Sequence, residues 1–336
     1  MKKIVVVSFN GIDNAGGLER VVQYICQALN GCCNISIFKK KNLQFPKIDF
    51  FIQGIIMNLR LNFVKQDFVV SNSWQSYRYP ADIVFFHGTI EGYLRKIGKF
   101  RKFSSSGLMA HMEKTAARKA KKIIAVSNHV KDELSELYGL ENSKITVLPN
   151  CVDDGIYVPV EKQCPKREKV ILFSGRLEYG KGLPSLRALS DFLETISGWN
   201  LCIAANTHQN EHFFSGKKNT KLYFGLTADE MPRFYQSGDV LFFPSLYEGF
   251  SMASIEALSC GIPIMGTDYV ITSELSNYEF CKNCNDFIME PQKIVENAML
   301  LHKVWNDKKE FIHKTIKKDF GIQQWKNKFL RTAFYD

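Results

Sequence analysis

Glu248-Gly249-Phe250-Ser251-Met252-Ala253-Ser254-Ile255-Glu256-Ala257-Leu258-Ser259-Cys260-Gly261-Ile262-Pro263 is the stretch from which the rest of the chain can be read. Met252, Ala253, Ile255, Ala257 and Leu258 recur at helical spacing, and Gly261 and Pro263 are stop signals. The sequence therefore predicts a helix starting near Phe250 or Ser251. Ahead of it, Asp239-Val240-Leu241-Phe242-Phe243-Pro244-Ser245 reads as a buried strand running into a loop. Strand-to-helix crossings of this kind bind ligands at the carboxyl edge of an open sheet. Glu248 precedes the first turn and Glu256 falls in the second, so both can face one ligand at a helix N-terminus whose free N–H groups attract an anion. A nucleotide sugar suits that pairing, with a phosphate for the amides and hydroxyls for the carboxylates. The plainer alternative makes Glu248 a helix cap and Glu256 part of a solvated face.

Working outward, apolar runs and helical stretches alternate through both halves. Residues 4–9, a glycine-containing loop and a helix over 18–29 form an opening βα unit. The start Met1-Lys2-Lys3 followed by residues 4–7 imitates a signal peptide, but the apolar run stops at Ser8 and Asn10, so it reads as the first strand. Short strands are expected at 35–38, 68–72, 83–87, 123–127 and 145–148. A second series follows at 170–174, 201–205, 222–224, 240–243 and 264–266, with a helix over 184–195. Such alternation favours parallel sheets, and 336 residues suit two domains. The polar segment 153–168, with Pro159 and Pro165, is the linker candidate, and the tail 306–334 holds two helical stretches around Asp319-Phe320-Gly321.

Other segments join the two-carboxylate pattern in a fixed order: Gly16-Gly17-Leu18-Glu19-Arg20, Ile124-Ala125-Val126-Ser127-Asn128, Val147-Leu148-Pro149-Asn150-Cys151-Val152-Asp153, and Ser174-Gly175-Arg176-Leu177-Glu178-Tyr179-Gly180-Lys181-Gly182. Together they resemble the retaining glycosyltransferases of family 4 (glycosyltransferase group 1) over nearly the whole chain. The resemblance implies an α/β chain of glycosyltransferase type B, GT-B: two Rossmann-like, doubly wound domains facing a cleft. It implies an acceptor-side domain over 1–160, a nucleotide-sugar domain over 161–320, and a final helix, 321–336, crossing back to the first domain.

Breaking a sugar to nucleoside-diphosphate bond leaves charge on the departing phosphate, which cations and N–H dipoles must meet. Arg176 and Lys181 suit that task, in a loop between a strand and a helix whose first turn carries Pro184. By resemblance, Glu256 binds the ribose hydroxyls, Glu248 contacts the donor sugar, and backbone around Gly249, Phe250 and Ser251 approaches the phosphates. Backbone at Phe224, Gly225 and Leu226 holds the base. Gly16 and Gly17 face the diphosphate or the acceptor, unless they are a mere turn. His87, in Val84-Phe85-Phe86-His87-Gly88-Thr89, ends a strand where similar transferases carry a sugar-contacting histidine; a lone histidine is otherwise more often structural. The expected donor is a UDP- or GDP-linked sugar, with no cofactor besides, and the expected acceptor is a glycan or a lipid-linked glycan. Retention without a carboxylate nucleophile suits a front-face displacement, which is the family's expectation. The segment Thr267-Asp268-Tyr269-Val270-Ile271-Thr272-Ser273-Glu274 departs from the family, whose members carry a Gly-rich turn there, so phosphate contacts from it are in doubt. No Asp-X-Asp triplet is present, consistent with a metal-independent reaction.

Nine scattered cysteines argue against a disulfide framework and for a reducing, cytoplasmic setting. Cys281 and Cys284 have metal-ligand spacing but lack a second pair. The net charge of +10 is uneven: residues 1–165 hold 23 Lys plus Arg against 14 Asp plus Glu, the remainder 21 against 20. The densest piece, Arg95-Lys96-Ile97-Gly98-Lys99-Phe100-Arg101-Lys102-Phe103, interleaves cations with apolar side chains. It can hold an anionic membrane surface, making the protein peripheral on the inner face of the cell membrane, or be a solvated loop. Interleaved aromatics could also stack on bases, but no nucleic-acid module is recognisable. A nicotinamide dehydrogenase is disfavoured because the first loop lacks G-x-G-x-x-G and Lys39 to Lys41 stand where an acidic ribose ligand belongs. A GT-B nucleotide-sugar epimerase and a non-enzymatic binder of anionic surfaces remain as alternatives.

Overall fold

The computed structural model describes residues 1–11, 16–39, 49–160 and 168–335. Lys40 and Lys41, and residues 161–167 of the expected linker, lie outside the described residues. Two compact units make up the chain: Met1–Asn150 with Trp325–Asp336, and Cys151–Gln324.

The first unit is built on a parallel sheet of β1 (Lys2–Val7), β2 (Cys33–Phe38), β3 (Phe68–Asn72), β4 (Ile83–Phe86), β5 (Lys122–Ala125) and β6 (Ile145–Val147), in the order β2-β1-β3-β4-β5-β6. The second repeats the pattern with β7 (Lys169–Ser174), β8 (Trp199–Ala205), β9 (Thr220–Phe224), β10 (Val240–Phe243), β11 (Ile264–Gly266) and β12 (Cys281–Asn283), in the order β12-β11-β10-β7-β8-β9. The central strands are continuous apolar runs, Ile83-Val84-Phe85-Phe86 and Val240-Leu241-Phe242-Phe243, buried along their whole length. That is the pattern of strands covered on both faces by helices, as the parallel connection requires. β12 was not expected: Cys281-Lys282-Asn283 has neither alternation nor β-branched residues, and it pairs only because β11 offers an edge.

The polar segment after residue 150 does not hang free. Cys151, Val152 and Tyr157 are buried, Val152 bridges Gly321, and Ser259 Oγ donates to the Tyr157 carbonyl at 2.6 Å. Those contacts seat 151–158 in the second unit, so the units divide at Asn150. At the other end, the Lys309–Phe320 helix packs in the second unit, with the Phe320 ring 5.4 Å from Phe250. The next helix, Ile322–Phe334, turns Trp325 and Phe329 onto Phe85 at 6.4 and 5.9 Å. Burying such aromatics stabilises by roughly 1.5–3 kcal/mol each, enough to hold the tail on the first unit.

Candidate nucleotide-sugar site

In each sheet the chain winds outward to one edge and then crosses to the other side, which creates a crevice outside the carboxyl ends of the two strands where the winding reverses. In the second unit those strands are β7 and β10. The loop after β7 carries Arg176 and Lys181, and the loop after β10 carries Glu248, Gly249, Phe250 and Ser251. The topology therefore places these two loops side by side.

The two loops lock together. Leu246 N–H and Ser245 Oγ both donate to the Gly180 carbonyl, at 2.9 and 3.2 Å. Gly182, at φ 84°, starts the Leu183–Leu193 helix, and a Cβ there would overlap the Pro244 carbonyl. Only glycine meets both demands. Across this junction Lys181 Nζ reaches Glu248 Oε1 at 2.5 Å, with the side chains 22% and 13% exposed. The lysine ammonium also lies 5.7 Å over the Phe243 ring. Arg176 is more exposed and pairs with its neighbour Glu178 at 3.2 Å, so it stands at the same loop without joining the Lys181–Glu248 pair.

Glu248 is not the helix cap. The helix covers Met252–Ser259, and its N-cap is Ser251, whose hydroxyl accepts from Ser254 N–H at 3.1 Å. This leaves Glu248 outside the helix, free to engage the lysine. Nor is Glu256 on a solvated face: it is buried and accepts from the Tyr235 hydroxyl at 3.0 Å. Gly249 and Phe250 are buried beside the helix mouth. Phe224 ends β9, the edge strand, and Gly225 and Leu226 follow it, so they lie one strand beyond β8 from the β7 and β10 loops. There the His208 ring lies 4.0 Å from the Phe224 ring, an aromatic pair at the expected base position that sequence reading had missed.

The departure at residues 267–274 has a structural meaning. Thr267 Oγ1 donates to the Ser245 carbonyl at 2.5 Å, its own carbonyl accepts from Val270 and Ile271 N–H, and Tyr269 lies 5.5 Å from Tyr247. The turn is thus filled with aromatic surface next to Glu248.

In the first unit the winding reverses between β1 and β3. Gly16 caps and Gly17 begins the Gly17–Leu29 helix, and a Cβ on Gly16 would collide with the Glu19 carboxylate. Buried Glu19, bonded to Asn10 Nδ2 at 2.7 Å, puts a negative charge at that helix mouth. The residue at the end of β3, Asn72, donates from Nδ2 to the Val7 carbonyl and presents Oδ1 to His87 Nε2 at 3.2 Å. His87 therefore carries its proton on Nε2, leaving Nδ1 unprotonated. Burial pushes its pKa down to about 4, so the ring is neutral at pH 7. Next along the chain, Ser73 holds φ 47° and donates to Glu113, which also accepts from the Tyr138 hydroxyl at 2.5 Å and Ile90 N–H at 2.7 Å. Burial first, and the neighbouring Glu133 charge last, raise Glu113 to about 7, although its three donors pull the other way.

Cys281 and Cys284 are both buried, and burial raises both thiols, Cys284 to about 12. Among the described residues no three His, Cys, Asp or Glu side chains gather as metal ligands.

Comparison with known proteins bears on this geometry. An uncharacterised glycosyltransferase of Methanocaldococcus jannaschii is 26% identical over 237 residues, covering 64% of this chain and 60% of that protein. The chain thus spans less than two thirds of this relative's length. Among solved structures, a glycosyltransferase involved in lipopolysaccharide biosynthesis superposes with a TM-score of 0.77 at 13% identity, covering 99% of this chain and all of that one. An Anabaena protein solved with UDP and glucose gives 0.75 at 14% identity over the whole of both chains. The fold is GT-B, with two Rossmann-like units. Family models match in tandem: Glycosyltransferase Family 4 over residues 41–155 and glycosyl transferases group 1 over residues 159–318. The chain belongs to the group 1 glycosyltransferases of the family 4 type.

Proposed function

We propose that this chain is a retaining, metal-independent hexosyltransferase that moves a hexose or N-acetylhexosamine from a UDP- or GDP-linked sugar to a lipid-linked or polysaccharide acceptor in surface glycan assembly. The observation that carries the reading is the Lys181–Glu248 pair, half-buried where β7 and β10 reverse the winding of the second sheet. Glu248 holds the ammonium in place. A donor diphosphate then takes over Lys181, with Arg176 beside it, and Glu248 is released to a hydroxyl of the donor sugar. Glu256, oriented by Tyr235, receives the ribose hydroxyls, and the base lies along Phe224 to Leu226.

The C1–O bond to the β-phosphate breaks while the acceptor hydroxyl forms a new C1–O bond on the same face. The departing phosphate oxygen takes the hydroxyl proton, and the cations stabilise the charge that develops there. Within the first unit, His87, neutral and held by Asn72, offers Nδ1 as a sugar contact. Glu19 at the Gly16–Gly17 helix mouth favours acceptor hydroxyls over a diphosphate, because a carboxylate there repels a second anion. The part that the similar lipopolysaccharide glycosyltransferase plays supports an acceptor of the surface-glycan class.

Screening nucleotide sugars for thermal stabilisation tests the donor: a ligand at ~100 times its Kd stabilises by about 2.7 kcal/mol. Product analysis then separates transfer from epimerisation, since an epimerase turns over donor with no acceptor present. Absence of stabilisation by any UDP- or GDP-sugar would remove the reading.

A further inference from the structure

The Asp49–Phe63 helix of the first unit is inverted relative to an ordinary surface helix. Its inward side buries Gln53 and Asn58 together with Met57 and Leu61. Asn58 is consumed there: Nδ2 donates to the Gly54 and Gln75 carbonyls, and Oδ1 accepts from Arg78 and Tyr79 N–H. Its outward side exposes Ile52, Ile55, Ile56, Leu59 and Phe63, the last two 50% and 85% exposed. Spacings of three and four residues put these five on one stripe, so the helix points a continuous apolar ridge at solvent. An apolar stripe of this size on a polar rim marks an interaction surface.

The ridge does not stand alone. A cavity of about 490 Å³ lies between Ile55, Leu108 and His111 with Arg78 and Lys119, and a second, of about 760 Å³, shares Leu108 and His111 and runs on to Phe103, Lys102, Arg95 and Lys114. Ile55 of the ridge and Arg95, Lys102 and Phe103 of the basic segment thus line adjoining cavities. Within that segment the structure corrects the sequence reading: Ile97 and Phe100 are half-buried, Phe100 under the Arg95 guanidinium at 5.0 Å, and Phe103 alone is fully outward, 98% exposed. Residues 95–119 carry eight lysines and arginines against one carboxylate, and that one, Glu113, is buried. Glu91, the acidic side chain in the larger cavity, is neutralised by Arg95 at 2.6 Å.

We propose that this face docks on an anionic phospholipid bilayer, with the Ile52–Phe63 ridge and Phe103 inserted at the headgroup boundary and the surrounding cations on lipid phosphates. Charge complementarity selects the partner: apolar insertion alone would suit many surfaces, but eight cations over residues 95–119 against one buried carboxylate suit an anionic one. No helix among the described residues is long and apolar enough to cross a membrane, so the attachment is lateral. The surface stands independently of the transferase reading.

Co-sedimentation of the full chain with vesicles of phosphatidylcholine, alone or with one-third phosphatidylglycerol, tests it without nucleotide sugar or acceptor. Partition onto the anionic vesicles is expected, weakening with added salt. Lys102→Ala should lower the partition coefficient about fivefold, the worth of one cation near the surface. Leu59→Ser and Phe63→Ser, both at exposed positions, should each lower it about tenfold or more while leaving the folded state intact by circular dichroism. Equal partition onto both vesicle types, or none onto either, overturns the proposal. So does a dimer that Leu59→Ser dissociates in the absence of vesicle binding, which would assign the ridge to a second copy of the chain. Neither result touches nucleotide binding in the second unit.

Discussion

The two sheets share one winding pattern but place different ionisable groups near the carboxyl ends of their strands. Between β7 and β10 the second unit gathers half-exposed charge, with Lys181 on Glu248 and Arg176 on Glu178. Beside β3 and β4 the first unit holds groups whose charged forms burial disfavours: the His87 pKa is lowered to about 4 and that of Glu113 raised to about 7. A site for an anionic leaving group needs fixed charge that survives binding, whereas a site for uncharged hydroxyls is better served by neutral donors and acceptors held in place. Topology sets where a site lies, and the burial of its ionisable groups sets what it can hold.

The largest effect that would break this contrast lies in the second unit. Lys181→Ala should slow transfer by about 10²–10³-fold, the usual loss when one group stabilising a developing anion is removed. Its thermal unfolding should stay close to wild type, because the pair is partly solvated. Near-normal turnover in steady-state assays would mean the lysine is a structural partner of Glu248 and no more.

Smaller in free energy, and aimed at the lock between the loops, is Gly182→Ala. The φ of 84° and the overlap with the Pro244 carbonyl should together cost about 2 kcal/mol or more in urea unfolding. A neutral outcome would show that the β7 and β10 loops are not mutually fixed.

Smallest is the pH dependence of the first unit. Glu113 has its folded pKa raised from 4.5 to about 7, so the native state binds the proton more tightly than the unfolded chain between those values. Its contribution to stability is full below about 4.5 and declines as pH rises through 7. His87 has the opposite sense: with its pKa lowered from 6.5 to about 4, its contribution is full above 6.5 and is lost as pH falls toward 4. Between pH 4.5 and 6.5 the two oppose each other, so Glu113→Gln should make the slope of Tm against pH more positive than in the wild type, and a variant that keeps the wild-type slope would remove the Glu113 contribution.

How much of this could be read beforehand follows from how local each signal is. The β10 strand, the Met252–Ser259 helix and the Gly175–Gly182 loop were legible because spacing, stop signals and glycines lie within a dozen residues of one another. The Ser251 cap was within reach, since a serine ahead of an apolar-periodic run is a cap signal, yet Glu248 was the residue weighed for it. Ser73, Glu113 and Tyr138 were not legible: 40 and 25 residues separate them, and only the folded sheet brings them together. The Asp49–Phe63 helix carried no expectation from sequence. Periodicity shows that an apolar face exists but not which way it turns, and here Asn58, by feeding four backbone groups, takes the inward position that an isoleucine would ordinarily hold. Tyr235 beneath Glu256 and His208 beside Phe224 carry no motif of their own and were found only through their partners.

The most direct test is calorimetric titration of UDP and GDP into the wild-type protein and into Lys181→Ala at equal pH and salt. One of the two nucleotides should bind the wild type, and the variant should bind it at least tenfold more weakly. Equal affinity in the two proteins, or no binding of either nucleotide to the wild type, would contradict a diphosphate site between the β7 and β10 loops.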